Sequence, residues 1–393
     1  MNYRRFGKLD WQASALGFGC MRLPTVGGDR SQIDEALATR MVRYAIDHGV
    51  SYLDTAYPYH GGESERFLGR ALQDGYRERV RLATKLPVRM VERTEDFDRF
   101  LNEQLAKLQT EQIDYYLFHG LRAPRWQTVQ ELGLLREAER ALADGRIRYL
   151  GFSFHDTFEV FREILDSYDG WTFCQFQYNY MNEDYQAGTA GLKYAAAKGL
   201  ATVIMEPLLG GKLANPPAPI QALWDSAQTR DYPRMPVEWA LQWLWNKPEV
   251  SVVLSGMSAM EHVVENVASA GRSGVGLLST EELALVERVR QKYDELCPIP
   301  CTACGYCMPC PNGVDIPRNF ATFNNGVMYN AFDEARQRYN RWMPEERRAS
   351  ACIQCRECEE LCPQDIPISE WMTVVEQVLG EGRAYEECQL PVG

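Results

Sequence analysis

A short apolar or β-branched run followed by a longer stretch of helical spacing recurs eight times along the first two-thirds of this chain. The runs are Ala15–Gly19, Ser51–Asp54, Val80–Lys85, Ile113–His119, Ile147–Ser153, Thr172–Gln175, Thr202–Glu206 and Val250–Ser255. The stretches between them predict helices near Ser31–His48, Glu63–Leu72, Glu95–Leu108, Val129–Ala143, Phe158–Ser167, Gly191–Lys198, Val237–Trp245 and Met260–Ala268. The runs do not alternate polar with apolar residues, so their strands are buried on both faces, as in a parallel sheet covered by helices. Eight such units over about 270 residues match a (β/α)8 TIM barrel. A doubly wound open sheet is the structural alternative.

Barrels place their chemistry at the carboxyl ends of the strands. Those ends carry Asp54, Lys85 and His119, with Tyr59 on the loop after Asp54. A phenol has an ordinary pKa of about 10, so it donates a proton at neutral pH only where a neighbour assists. Lys85 is the cation expected to lower that value, with Asp54 holding the ammonium in place. His119 would orient a substrate carbonyl or assist proton transfer. Each residue also has a plain reading: a turn cap, a packing tyrosine, a solvated strand end, a core histidine. None is a strong nucleophile, so acyl transfer is not indicated.

The formal charge of −12 argues against broad binding to nucleic acid or to anionic membranes. No apolar run is long enough to span a bilayer, and the opening MNYRRFGKLDWQ lacks an apolar signal region. A cytoplasmic protein is expected.

Several segments together resemble the aldo-keto reductase family over roughly residues 3–290. They are LGFGCMRLP, DTAYPYHGGESERFLGRAL, ATK, IDYYLFHG, IRYLGFSFH, TVIMEPLLGGKL and SGMSAMEHVVEN. The resemblance implies an NAD(P)-dependent oxidoreductase interconverting a small carbonyl compound and its alcohol. Tyr59 would be the general acid, Lys85 and Asp54 its partners, and His119 the substrate-orienting group. Ser153 and Gln175 would bind the nicotinamide carboxamide. Leu208, Gly210, Gly211 and Lys212 would contact the pyrophosphate, and Gly256, Ser258 and Asn266 would lie by the adenosine. Three positions depart from the family pattern. Met205 stands where many members stack an aromatic, Phe154 replaces an Asn, and His262 is the only basic group near the 2′-phosphate position. The choice between NAD and NADP stays open.

Ser279 and Glu282 form a capping-box pattern for a helix running to about Leu296. The break at Cys297-Pro298-Ile299-Pro300 divides the chain into expected domains 1–296 and 297–393. Ten of the twelve cysteines fall in the second part. In a chain without a secretory signal, such clustering indicates metal ligands rather than disulfides. Cys301, Cys304, Cys307 and Cys310 are each separated by two residues. Cys352, Cys355, Cys358 and Cys362 follow the C-x2-C-x2-C-x3-C-P spacing of bacterial [4Fe–4S] proteins. Three close thiolates hold three irons, and the local turn cannot bring the fourth cysteine round. The expected ligand sets are therefore Cys301, Cys304, Cys307 with Cys362, and Cys352, Cys355, Cys358 with Cys310. Structural zinc is the alternative, and Cys297 and Cys388 stay unassigned. Helices near Asn319–Asn330 and Ala331–Trp342, bracketed by Pro317 and Pro344, make the region similar to helical ferredoxin domains over about 297–380. The expected fold is thus α/β, a TIM barrel followed by a small, mainly α-helical ferredoxin-like domain.

A nicotinamide passes two electrons as hydride, whereas each cluster passes one. No Gly-rich flavin or dinucleotide fingerprint is present. The leading expectation is a carbonyl reductase linked to, or supported by, two [4Fe–4S] clusters, with a ferredoxin- or flavodoxin-like electron carrier as partner. A cluster-driven reductase using flavin or a substrate radical, and a redox-sensing binding protein, are the alternatives. Specificity is expected in the loops Leu121–Trp126 and Asn215–Pro236, with the cluster domain itself as a further contributor.

Overall fold

The computed structural model describes residues 1–227 and 232–391. The chain forms two compact units, Met1–Gly210 with Val237–Thr280, and Gly211–Pro236 with Glu281–Gly393.

The first unit opens with a hairpin of β1 (Tyr3–Arg5) and β2 (Gln12–Ser14). Eight parallel strands follow: β3 (Leu16–Gly19), β4 (Tyr52–Asp54), β5 (Arg81–Leu86), β6 (Ile113–Leu121), β7 (Ile147–Phe154), β8 (Phe173–Gln177), β9 (Ala201–Met205) and β10 (Val250–Gly256). Each pairs with the next, and β10 closes on β3 through Gly256 and Gly19. The expected barrel is present, with helices between successive strands. Three-residue strands at a hairpin are too short to show periodicity, so β1 and β2 were not read from the sequence. Their turn puts Phe6 inside the barrel floor, 4.8 Å from Tyr115 and 5.9 Å from Tyr52 between ring centroids. Gly7 makes that entry at φ +56°, where an added Cβ would lie 2.5 Å from Ala201 N.

Two helical readings change. The stretch Val129–Ala143 is broken: helices Ala123–Glu131 and Leu134–Ala143 meet at Gly133, at φ +61°. The Leu121–Trp126 loop is nearly absent, because β6 runs to Leu121 and the helix starts at Ala123. Pro124 suits that first turn, where its missing N–H costs nothing. The Asn215–Pro236 segment, in part outside the described residues, includes a helix Ala218–Asp225.

The second unit has its own core of Ile299, Ile316, Phe320, Phe323, Tyr339, Ile368, Trp371 and Val375. It lies among helices Ile316–Met328, Phe332–Trp342 and Ile368–Val375. Pro317 sits within the first turn of its helix rather than before it. Six of the cysteines expected as ligands, Cys301, Cys307, Cys310, Cys352, Cys358 and Cys362, pack against this core. All twelve cysteines are free. No helix among the described residues is long and apolar enough to cross a membrane.

Candidate active site and cluster ligands

The barrel register sets Asp54 at the end of β4 beside Ala83 of β5, two residues before Lys85. Side chains two apart on a strand share a face, so Lys85 enters the same interior. Its Nζ donates to Asp54 Oδ1 at 2.7 Å and to Thr55 O at 2.6 Å, and reaches Tyr59 Oη at 3.5 Å. Lys85 is fully buried. Tyr59 begins the turn Tyr59–Gly62, and its ring meets the His119 ring edge-on at 6.1 Å. The four residues converge on one rim.

Burial disfavours the Lys85 ammonium, but Asp54 and then Tyr59 outweigh it and leave its pKa above the ordinary lysine value. Burial likewise lifts Asp54, against the pull of Lys85. The expected lowering of the Tyr59 phenol is overtaken. Lys85 does pull it down, but burial pulls harder and the phenol lies above its ordinary value. The reason is geometric, since the two shorter Lys85 bonds go to Asp54 and Thr55. Burial, then Lys85 and His155, hold His119 well below the usual histidine range, so the imidazole is neutral.

Two groups at this rim keep buried atoms without a hydrogen-bond partner among the described residues, Asp54 at Oδ2 and Gln175 at its amide. Gln175 is 1 % exposed and lies close enough to Asp54 to help draw that carboxyl down, but neither its Oε1 nor its Nε2 completes a well-formed hydrogen bond among the described residues. Leaving a buried amide unpaired is costly, so the site suits a ligand amide. Ser153, across the β7–β8 pair from Gln175, accepts from Gly120 N at 2.7 Å and keeps its own hydroxyl proton. Met205 ends β9 and packs onto the floor cluster. Leu208 lies in a turn closed by Leu209 N donating to Glu206 O, and Gly210 follows it at φ +72°. An added Cβ at Gly256 would lie 3.1 Å from Arg22 Cδ, and one at Gly210 3.4 Å from Arg22 Nη2. Ser258 N donates to His262 Nδ1 at 3.5 Å, and Asn266 Nδ2 to Ser255 Oγ at 3.1 Å. The Arg22 side chain packs against both glycines, and of this set the Gln175 amide is the group that fits a dinucleotide. Gly211 and Lys212 belong to the second unit, where Lys212 Nζ lies 3.2 Å from Asn325 Oδ1 and 3.8 Å from Glu334 Oε1.

A brace behind Lys85 escaped the sequence reading. The buried Glu65 carboxylate accepts from Thr84 Oγ1 at 2.7 Å and Gln104 Nε2 at 2.6 Å, and Gln104 Nε2 also reaches Lys85 O. The available signal was Glu65 at helical spacing with Leu68 and Leu72, an acid on an apolar face.

In the second unit the cysteines group around two apolar hollows. Cys301, Cys304, Cys307 and Cys362 line one, with Ile316, Phe320 and Ile368. Cys310, Cys352, Cys355 and Cys358 line the other, with Val314, Ile368 and Met372. The two loops share a backbone form: Ala303 and Gln354 precede the second cysteine of each at positive φ, and Gly305 and Arg356 follow it likewise. Left-handed residues between short turns aim amide N–H groups inward, a cradle for an anionic group. Among the described residues no three His, Cys, Asp or Glu side chains converge as they would on a single ion. Burial, then Glu359, pushes the Cys358 thiol up to about 12. A metal's charge would be needed to hold it as thiolate at neutral pH. This donor set fits cubane clusters better than zinc.

Residues 15–291 match the aldo/keto reductase family, and residues 300–366 match the 4Fe-4S dicluster domain. Among curated proteins, the chain is 27% identical over 315 residues to the L-galactose dehydrogenase of Arabidopsis thaliana, covering 75% of this chain and 95% of that one. It is 31% identical over 159 residues to the probable aldo-keto reductase 1 of Glycine max, a match spanning 38% of this chain but only 44% of that relative. Among solved structures it resembles an aldo-keto reductase from Klebsiella pneumoniae in complex with NADPH, with TM-score 0.59 and 25% identity over 74% of this chain and 96% of that one. The chain belongs to the aldo/keto reductase family, as an oxidoreductase with a 4Fe–4S domain following its barrel.

Proposed function

We propose that the chain interconverts a small carbonyl compound and its alcohol with NAD(P)H at the Asp54–Tyr59–Lys85–His119 rim. The observation that carries this reading is the buried Lys85, which binds Asp54 and reaches Tyr59 while an unpaired Gln175 amide lies at the same rim. The Klebsiella pneumoniae relative, solved in complex with NADPH, supports the choice of cofactor class.

A nicotinamide bound there would supply the hydride. Ser153 and Gln175 would hold its carboxamide, and its phosphates and adenosine would lie along Gly210 and Gly256, beside Arg22. Tyr59 donates its phenolic proton to the oxygen that develops negative charge, while Lys85 stabilises the phenolate left behind. Asp54 keeps the ammonium oriented. His119, being neutral, offers a ring N–H to the same oxygen and fixes the carbonyl without exchanging a proton.

We also propose that the C-terminal domain holds two [4Fe–4S] clusters. One would be bound by Cys301, Cys304, Cys307 and Cys362, the other by Cys352, Cys355, Cys358 and Cys310. Their one-electron chemistry fits a small electron-carrier protein of ferredoxin or flavodoxin type as partner.

Cluster-replete protein mixed anaerobically with NADH or NADPH tests the reading. The nicotinamide is expected to bind and to be oxidised when a carbonyl compound is added. Tyr59→Phe is expected to keep that binding and lose turnover on the order of 10²–10⁴-fold. Absence of nicotinamide binding by replete protein would overturn it. Bleaching of the iron–sulfur absorbance in step with the nicotinamide band would show that barrel and clusters exchange electrons.

A further inference from the structure

The chain carries a net charge of −12, yet one sector of the barrel rim is cationic. The turn Val88–Met90 after β5 packs on β6 and on the helix Ala123–Glu131. It brings Arg89 to the same sector as Arg122 and Arg125 at the start of that helix. Arg125 Nη1 donates to Gly120 O at 2.5 Å, one residue from His119. An added Cβ at Gly120 would lie 2.6 Å from Arg125 Nη1 and 3.9 Å from His155 Cδ2, so the two side chains flank that backbone.

None of Arg89, Arg122 and Arg125 makes an ion pair among the described residues. Asp156, the carboxylate next to His155, spends its oxygens on Ala123 N at 2.9 Å and Thr157 N at 2.8 Å. Asp54 is held by Lys85. The cations also act on one another. Burial, then Arg122 and Arg89, lowers the pKa of Arg125, and no carboxylate opposes them. Uncompensated like charges gathered at one rim raise the local concentration of anions.

We infer that Arg89, Arg122 and Arg125 form an anion-binding subsite beside His119, and that the carbonyl substrate bears an oxyanion, a carboxylate or a phosphate ester. The inference rests on the reductase reading for the word substrate, but the binding claim stands without it. The planar guanidinium fork suits an oxyanion of either kind.

Calorimetric titration of the cluster-replete full chain tests it with matched pairs: succinic semialdehyde against butanal, and glyceraldehyde 3-phosphate against glyceraldehyde. At least one anionic member is expected to bind at least tenfold more tightly than its neutral partner, an advantage of the size that charge-assisted hydrogen bonds supply. The pair showing the difference assigns carboxylate or phosphate. Arg122→Gln with Arg125→Gln, and separately the exposed Arg89→Gln, are expected to erase most of that advantage, and raised salt to shrink it. Equal affinity within both pairs would overturn the subsite, as would an advantage unchanged in all the variants. Nicotinamide oxidation is followed separately. Preferential anion binding without NADPH or NADH oxidation would sink the reductase reading and leave the subsite standing.

Discussion

Lys85 Nζ lies 2.7 Å from Asp54 Oδ1, and both side chains are almost wholly shielded from water. A buried charge left without its partner is more damaging than a missing pair. Asp54→Asn is therefore expected to destabilise the protein by about 3–5 kcal/mol. Adding Lys85→Met should recover part of that loss and none of the activity, because the two residues share one network. Denaturant unfolding of Asp54→Asn, Lys85→Met and the double variant checks this. Additive losses in the double variant would contradict it.

His119 supplies a pH dependence of stability. Its pKa in the folded chain lies well below the ordinary value of 6.5 because burial, and then Lys85, oppose its charge. Below about pH 6.5 the unfolded chain takes up a proton that the folded chain refuses, so stability is full above that pH and falls as pH drops. The loss approaches about 1.4 kcal/mol per pH unit for one such group. Melting temperatures of the native protein and of His119→Gln across this range separate the effect from acid damage to the clusters. The variant should show the shallower acid decline, and parallel curves would refute the assignment.

Cys310 and Cys362 exchange partners between the two cysteine runs, each lining the hollow formed mainly by the other run. Reconstituted protein is expected to bind about eight irons, and Cys362→Ala or Cys310→Ala about four stable ones each. Metal analysis with electron paramagnetic resonance of the reduced protein should show that the two variants lose different signals. Zinc in place of iron after anaerobic purification would rule out the cluster assignment.

Phe6 closes the barrel floor against Tyr115, Tyr52 and Phe173 and is fully buried. Phe6→Ala is expected to cost about 3–5 kcal/mol, while removing the exposed Tyr3 ring nearby costs far less. Thermal unfolding compares the two, and equal effects would show that the hairpin does not seal the floor.

The eight barrel strands lie within one or two residues of where apolar runs between turn residues predict them. The break at Gly133 and the loss of the Leu121–Trp126 loop were missed for a common reason. Both depend on how a helix is seated against its strand, which a local pattern does not encode. The Glu65 brace is a similar case, since only the packed helices show which groups satisfy that carboxylate.

By itself the sequence determined the alternation of strand and helix, the residue types at the strand ends and the spacing of the cysteines. These are local properties, written in side-chain periodicity and in distances along the chain. The tertiary structure alone decided that burial outweighs Lys85 at the Tyr59 phenol, that the Gln175 amide has no well-formed hydrogen bond among the described residues, and that three arginines with no ion pair among those residues gather beside His119. Charge, desolvation and hydrogen bonding at a point depend on everything within a few ångströms of it, and that neighbourhood is assembled from segments tens of residues apart.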